Sequence, residues 1–532
     1  MLCACALAAA AGVAVLVGNG GTDAAAPAPD AIVHHGRITT MDGRGTTVEA
    51  LAIRGGEIVA IGSDERIRAL AASGTRQIDL GGRRVLPGLV DANLRGVQMG
   101  STECFSRSPR LDGVYTRAEA LRTVADRAQR TPAGSWLAAI GRGWNVAQLD
   151  TPGMLAKAEL DAIAPAHPVY LQAAGFAGGQ LNGVGLRRLG LAVGDAGVQR
   201  DSAGAATGQV TGPANARALR AVRADFAGLG PDEQEACTRH LVRELNRRGL
   251  TAWDDPGGGD PAAVAALHRA GELGARVRLN FPVGANAIGD IGDDVLRVGG
   301  IGPDVIAPGR SGVYPSGPYR RILTRLASGG WSYEGAATLP TTQHGLVEDW
   351  EQVNARTPIT DLRWRMLHPG GGPSEPNPDA LARLKDLDAG IVPTDAPVNG
   401  VPSYPPYKRI YESGTRACLG TDAPAQAPYT PFVHLWFTMS GRSSIPNRGG
   451  VAADQRLTRE QALELATRRC DWFMGLDGRI GALEPGRLAD LIVLSGDYFR
   501  VPVDEIRGLE SVLTMVGGRV VYGAGPYATL AP

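Results

Sequence analysis

The feature that most constrains what this chain can fold into is a change of period along it. Between residues 87 and 477, short strand-like runs ("SWLAAIGRGW", "PVYLQAAG", "GLTAWDD", "RVRLNFPV", "WRMLHP", "GIVPT", "RACLGTDA") alternate with amphipathic helical ones. The helical runs include "RAEALRTVADRAQR", "PDEQEACTRHLVRELNRRG", "PAAVAALHRAGELG" and "PDALARLKDLDA". A strand followed by a crossover helix, repeated, builds a parallel sheet, and this length suits a closed (β/α)8 barrel with insertions. Residues 31–86 and 478–527 are instead β-rich and broken by Gly-containing turns, each too short to stand alone. The expected fold class is therefore α/β, a TIM-like barrel over 87–477 with a small β-sandwich domain built from 31–86 and 478–527.

Charge excludes some partners. With 54 Lys plus Arg against 54 Asp plus Glu, the chain carries no field that would gather nucleic acid or an acidic membrane surface. A small-molecule substrate or ligand is the expected partner, and oligomeric state is left open. Residues 1–30 read as a leader: the apolar "MLCACALAAAAGVAVLVGNGG" precedes the small, Pro-containing "TDAAAPAPD". Without a basic start it is either a cleaved signal or an uncleaved anchor; export is expected, with no stable membrane insertion once the leader is removed. Beyond the leader, Cys104, Cys237, Cys418 and Cys470 are widely spaced, which suggests isolated buried thiols, with disulfides open to an exported chain.

Three stretches carry a family signature: "VLPGLVDA" opening the barrel, "LGTDAP" late in it, and "GALEPGRLADLIVL" closing it. Together with "GRGWNVAQLD", "ELDAIAPAHPVYLQ" and "GDYFRVPVDEIRGLESVLTMVGGRVVY", they make the chain resemble the amidohydrolase superfamily, in its YtcJ-like (amidohydrolase 3) branch. That resemblance implies metal-assisted hydrolysis of a carbon–nitrogen bond other than a peptide bond at the C-terminal mouth of the barrel. It also assigns positions. The two histidines of the first family motif fall at Asn93 and Arg95 here, and the mid-barrel lysine that can bridge two metals falls at Gly302. A further histidine position falls at Pro340, with His344 four residues later.

Asn is a poor ligand for a zinc-like ion, and Arg has no lone pair to offer. Two family positions survive, His368 as a metal ligand and Asp422 as metal ligand and catalytic proton carrier. The expected cofactor is thus at most one divalent, zinc-like ion and not a binuclear centre. Asn93, Arg95 and the strand-end carboxylate Asp254 become substrate-binding candidates, with Asp255 beside them. His368 can equally be a hydrogen-bonded polar residue, and Asp422 a turn residue before Pro424. First and last strands are neighbours in a closed barrel, so Arg95 is expected to pair with Asp422 in place of the metal's charge, unless it turns out to solvent. Two functions follow: an amidohydrolase-type hydrolase with eroded metal ligands, or a non-catalytic descendant that binds a small ligand in the former active-site pocket.

Overall fold

The protein is described by a computed structural model that covers residues 27–531, apart from 142–143, 174–177, 281–290, 304–316, 338–339, 370–375, 395–403, 426 and 444–449. Residues 1–26 of the expected leader lie outside the described residues, as does most of both Gly/Pro-rich loops, "APGRSGVYPSGP" and "GGGPSEPNP". Among the described residues no helix is long and apolar enough to cross a membrane.

Strands of alternating and continuous apolar character pair as their burial requires. Eight parallel strands form one curled sheet: β1 (Leu89–Asp91), β2 (Leu250–Asp255), β3 (Arg276–Asn280), β4 (Leu296–Ile301), β5 (Ser332–Ala336), β6 (Arg365–Leu367), β7 (Gly390–Val392) and β8 (Arg416–Ala417). The ring closes just past the ends of β1 and β8. Ala92 N–H donates to Leu419 O at 2.9 Å, Asp422 N–H to Asn93 O at 2.6 Å, and Arg95 N–H to Ala423 O at 3.0 Å.

Both chain ends enter one six-stranded sheet, in which Arg84–Pro87 pairs antiparallel with Leu491–Leu494. A four-stranded sheet from residues 31–79 packs on it through a shared core that includes Val33, Leu51, Val85, Leu491 and Leu513. Sheet on sheet with a common apolar interior is the sandwich expected of the terminal segments.

Two sequence expectations need correction. "SWLAAIGRGW" and "PVYLQAAG" are not barrel strands: Leu137–Ala139 and Val169–Gln172 belong to a separate five-stranded sheet inserted between β1 and β2. Periodicity identifies a strand but not the sheet it joins. The thiols are not isolated either, because Cys104 is bonded to Cys237 and Cys418 to Cys470. Cys237 lies on helix α2 (Pro231–Arg247), so the first disulfide ties the segment after β1 to that helix.

Candidate active site at the barrel mouth

β1 runs out at Asp91, and Asn93 and Arg95 continue it by alternate residues. Asp91 anchors that extension: its carboxylate accepts from Asn93 N–H at 3.0 Å, Thr421 N–H at 3.0 Å and Thr421 Oγ1 at 2.6 Å. Burial raises the Asp91 carboxyl to about 6 against those hydrogen bonds. This stitching of the first strand to the last brings the expected pair together. Arg95 Nε donates to Asp422 Oδ1 at 2.7 Å, and both side chains are nearly enclosed. His368 Nε2 lies 3.6 Å from the other oxygen of the same carboxylate.

His368 and Asp422 share a second trait. Each adopts a left-handed backbone, with φ of 57° and 51°, which costs a non-glycine residue roughly 1–3 kcal/mol and gathers at functional sites. Asn93 completes the group. It is 1% exposed, and among the described residues neither its carboxamide oxygen nor its nitrogen has a hydrogen-bond partner. Its Cβ fits only because residue 420 is glycine; a Cβ there would stand 2.7 Å from that of Asn93.

Asp254 lies elsewhere. It is fully enclosed in the barrel, where its carboxylate accepts from Asn280 Nδ2 at 2.7 Å and from Arg365 Nη2, with Arg278 Nη1 at 3.5 Å. Arg365 also donates to Glu334 Oε1, through Nε at 2.9 Å and Nη2 at 2.6 Å. Burial drives the Glu334 carboxyl up to about 7 against the pull of Arg365. The structure thus brings Asn93, Arg95, His368 and Asp422 together, and gives Asp254 to an interior network with Arg278, Glu334 and Arg365. Charged residues within barrel strands, Arg278 in "RVRLN", Glu334 in "SYEGA" and Arg365 in "RWRML", are the signal for that network. Asp255, beside Asp254, accepts from Val97 N–H at 2.7 Å and Gly257 N–H at 3.0 Å, and burial raises its carboxyl to about 7.

Gly302 and Pro340 carry no side chain that could ligate a metal. A Cβ on Gly302 would sit 1.9 Å from Pro256 O, so no lysine fits on this backbone. β5 ends at Ala336, and Pro340 opens helix α3 (Pro340–Asn354). His344 lies within α3, with its Nε2 3.3 Å from Asn377 Nδ2. Among the described residues no three His, Cys, Asp or Glu side chains converge as a metal site. The residues that are present fit a metal centre poorly, because a guanidinium stands where a ligand would and already bonds the surviving carboxylate.

Comparison with known proteins agrees with this architecture. The family model described as "Amidohydrolase family" matches residues 76–522. YtcJ of Bacillus subtilis (strain 168), an amidohydrolase by name, is 34% identical over 143 residues, 27% of this chain and 26% of its own length. The N-substituted formamide deformylase of Arthrobacter pascens is 22% identical over 558 residues, covering 93% of this chain and 98% of that one. An uncharacterized metal-dependent hydrolase from Pyrococcus furiosus superposes with a TM-score of 0.60 at 19% identity, over 88% of this chain and 100% of its own.

Proposed function

Because the chain belongs to the amidohydrolase family, we propose that it hydrolyses a carbon–nitrogen bond, other than a peptide bond, in a small molecule held at the barrel mouth. The observation that carries this reading is the 2.7 Å bond from Arg95 to Asp422 beside His368. In the reaction Asp422 takes a proton from the attacking water, the role of a positioned general base. Arg95 supplies fixed positive charge facing the oxyanion that forms, which is electrostatic stabilisation already in place before reaction. The carboxamide of Asn93, without a hydrogen-bond partner among the described residues, offers a donor group and an acceptor group, the complement of a substrate amide edge, and the proton taken by Asp422 passes through His368, 3.6 Å from it, to the leaving amine. Asp254 acts behind this set, by holding Asn280 and Arg365.

The full-length likeness to a formamide deformylase supports a carbon–nitrogen bond as the target. Two donors, His368 and Asp422, are too few to hold a divalent ion tightly, so less than one bound equivalent per chain is expected. The two disulfides support export to an oxidising compartment.

One observation favours a second reading. A carboxylate bonded to a guanidinium is a poorer base, so the same pair suits a pocket that binds and does not turn over. A single experiment separates the two: elemental analysis of the purified protein with a screen of amides, formamides, ureas and esters, repeated in chelator. Chelator-resistant hydrolysis that Asp422→Asn lowers by about 10²-fold or more, the usual worth of a general base, supports the first reading. Ligand binding with no turnover supports the second. Close to two metal equivalents per chain would overturn both.

A further inference from the structure

A cleft of about 800 Å³ opens outside the barrel, between helix α1 (Arg117–Arg130), α2, the start of helix α4 (Pro431–Ser440) and the segment 495–510. Its size is that of a small-molecule site. None of the mouth residues lines it.

Its floor is aromatic. Phe105 meets Tyr429 edge-on at 5.4 Å between centroids and lies against His240 at 5.9 Å. Most charges around it cancel in pairs. Arg110 grips Asp112 through two bonds of 2.8 Å. Arg247 and Arg248 share Glu244 and Glu510, and Asp504 is taken by Arg442 and by Trp436 Nε1.

Two guanidiniums remain without a carboxylate at ion-pair distance among the described residues. Arg127 donates to Ser106 O at 2.6 Å and faces His240 Nε2 at 3.5 Å. Burial, and then Arg127 itself, pushes His240 down to about 4, so no second cation forms there near neutral pH. Burial together with Arg130 also holds the Arg127 guanidinium below its ordinary value, against a weaker pull from Tyr429 and Glu244. Arg507, which also lines the cleft, lies 4.2 Å from the ring centroid of Tyr115 and 5.3 Å from that of Trp436.

Arg127 is a half-buried cation whose contacts, Ser106 O and His240, are neutral, so an anionic ligand would supply the charge that they lack. Glu119 and Glu505 also line the cleft but are exposed, where solvent screens their charge. We propose that this cleft is a second binding site, for a small organic carboxylate whose anionic end pairs with Arg127 and whose flat apolar body lies over Phe105 and Tyr429. Arg507 adds a second cation to its lining. The proposal stands apart from the hydrolase reading, since it uses no mouth residue.

The test is titration calorimetry on the full chain with benzoate, its neutral counterpart benzamide, and inorganic phosphate. Benzoate is expected to bind at least tenfold more tightly than either of the others. Arg127→Gln should weaken it at least tenfold, and Arg127→Lys only a few-fold. Thr123→Trp, which enters the cleft one turn before Arg127 on α1, should abolish binding with the charge intact, so the proposal does not hang on one variant folding. Arg95→Gln at the mouth should leave benzoate affinity unchanged. Equal affinity for benzoate and benzamide, phosphate binding as tight as benzoate, or loss of benzoate in Arg95→Gln would each overturn it.

Discussion

At Asp255 the carboxyl is pushed up to about 7 because burial outweighs the two backbone N–H groups, Trp253 and Arg95 that favour its charged form. An unfolded Asp titrates near 4, at about 3.9. Between those values the folded chain holds a proton that the unfolded chain has lost, so this group's contribution is fully present below about pH 4. It is lost as pH climbs through about 7. Asp255→Asn removes the titration. The stability of the parent relative to this variant should therefore fall between pH 5 and 7, by about 1.4 kcal/mol per pH unit at most. Urea unfolding of both proteins at several pH values measures the difference; a difference flat with pH would show that Asp255 is ionised in the fold. His434 is pushed down to about 3 by burial and slopes stability the other way, but equally in both proteins. At this scale the sequence was most informative where chemistry is single-valued. Arg95 cannot ligate a metal, so its pairing with Asp422 could be read in advance. The Asn93 carboxamide offered no such certainty, since nothing in its neighbours announces that both its polar atoms lack a partner among the described residues.

Elements were legible to the extent that their period is local. Helix α1 shows it: Thr116 accepts from Glu119 N–H at the start, and Ala120, Val124 and Ala128 recur every four residues on the buried face. The strands of the inserted five-stranded sheet have the same texture as barrel strands, so only partner choice, a long-range property, distinguishes them. Cysteine pairing is likewise long-range. Cys418, just after β8, reaches Cys470 across 52 residues, and Cys104 reaches Cys237 across 133. Closing a loop of that shorter size removes denatured-state entropy worth about 4 kcal/mol on the chain-entropy account. Cys418→Ser with Cys470→Ser should lower the unfolding free energy by an amount of that order, and reductant should then have less effect on the variant than on the parent. Thiol titration in denaturant without reductant should find none of these four sulfurs free; reactive thiols there would contradict the pairing.

Over the whole molecule the β-sandwich is held to the barrel by a buried ion pair that neither segment's sequence suggests alone. Arg276 on β3 donates from Nε to Asp490 Oδ2 at 2.6 Å and from Nη2 to Oδ1 at 3.0 Å, and Gly517 N–H adds a third bond to that carboxylate. Both side chains are nearly fully enclosed. Removing one partner leaves the other buried and uncompensated, so Arg276→Ala is expected to cost roughly 3–5 kcal/mol in urea unfolding. The double change Arg276→Met with Asp490→Leu should recover most of that, because an apolar pair can fill the same space without the desolvation penalty. Single and double variants of equal stability would mean that packing, and not charge, joins the two parts.

The contact of Gly302 with Pro256 has a consequence for anyone who would re-engineer this protein. Asn93→His and Arg95→His would place two imidazoles just past the end of β1. Neither makes room for a lysine at residue 302, because its first carbon would lie inside the Pro256 carbonyl. The segment after β2 would have to move before that side chain could enter. A side chain at residue 302 is therefore blocked by a backbone and not by other side chains, and a designer seeking one would have to redraw the loop after β2 first.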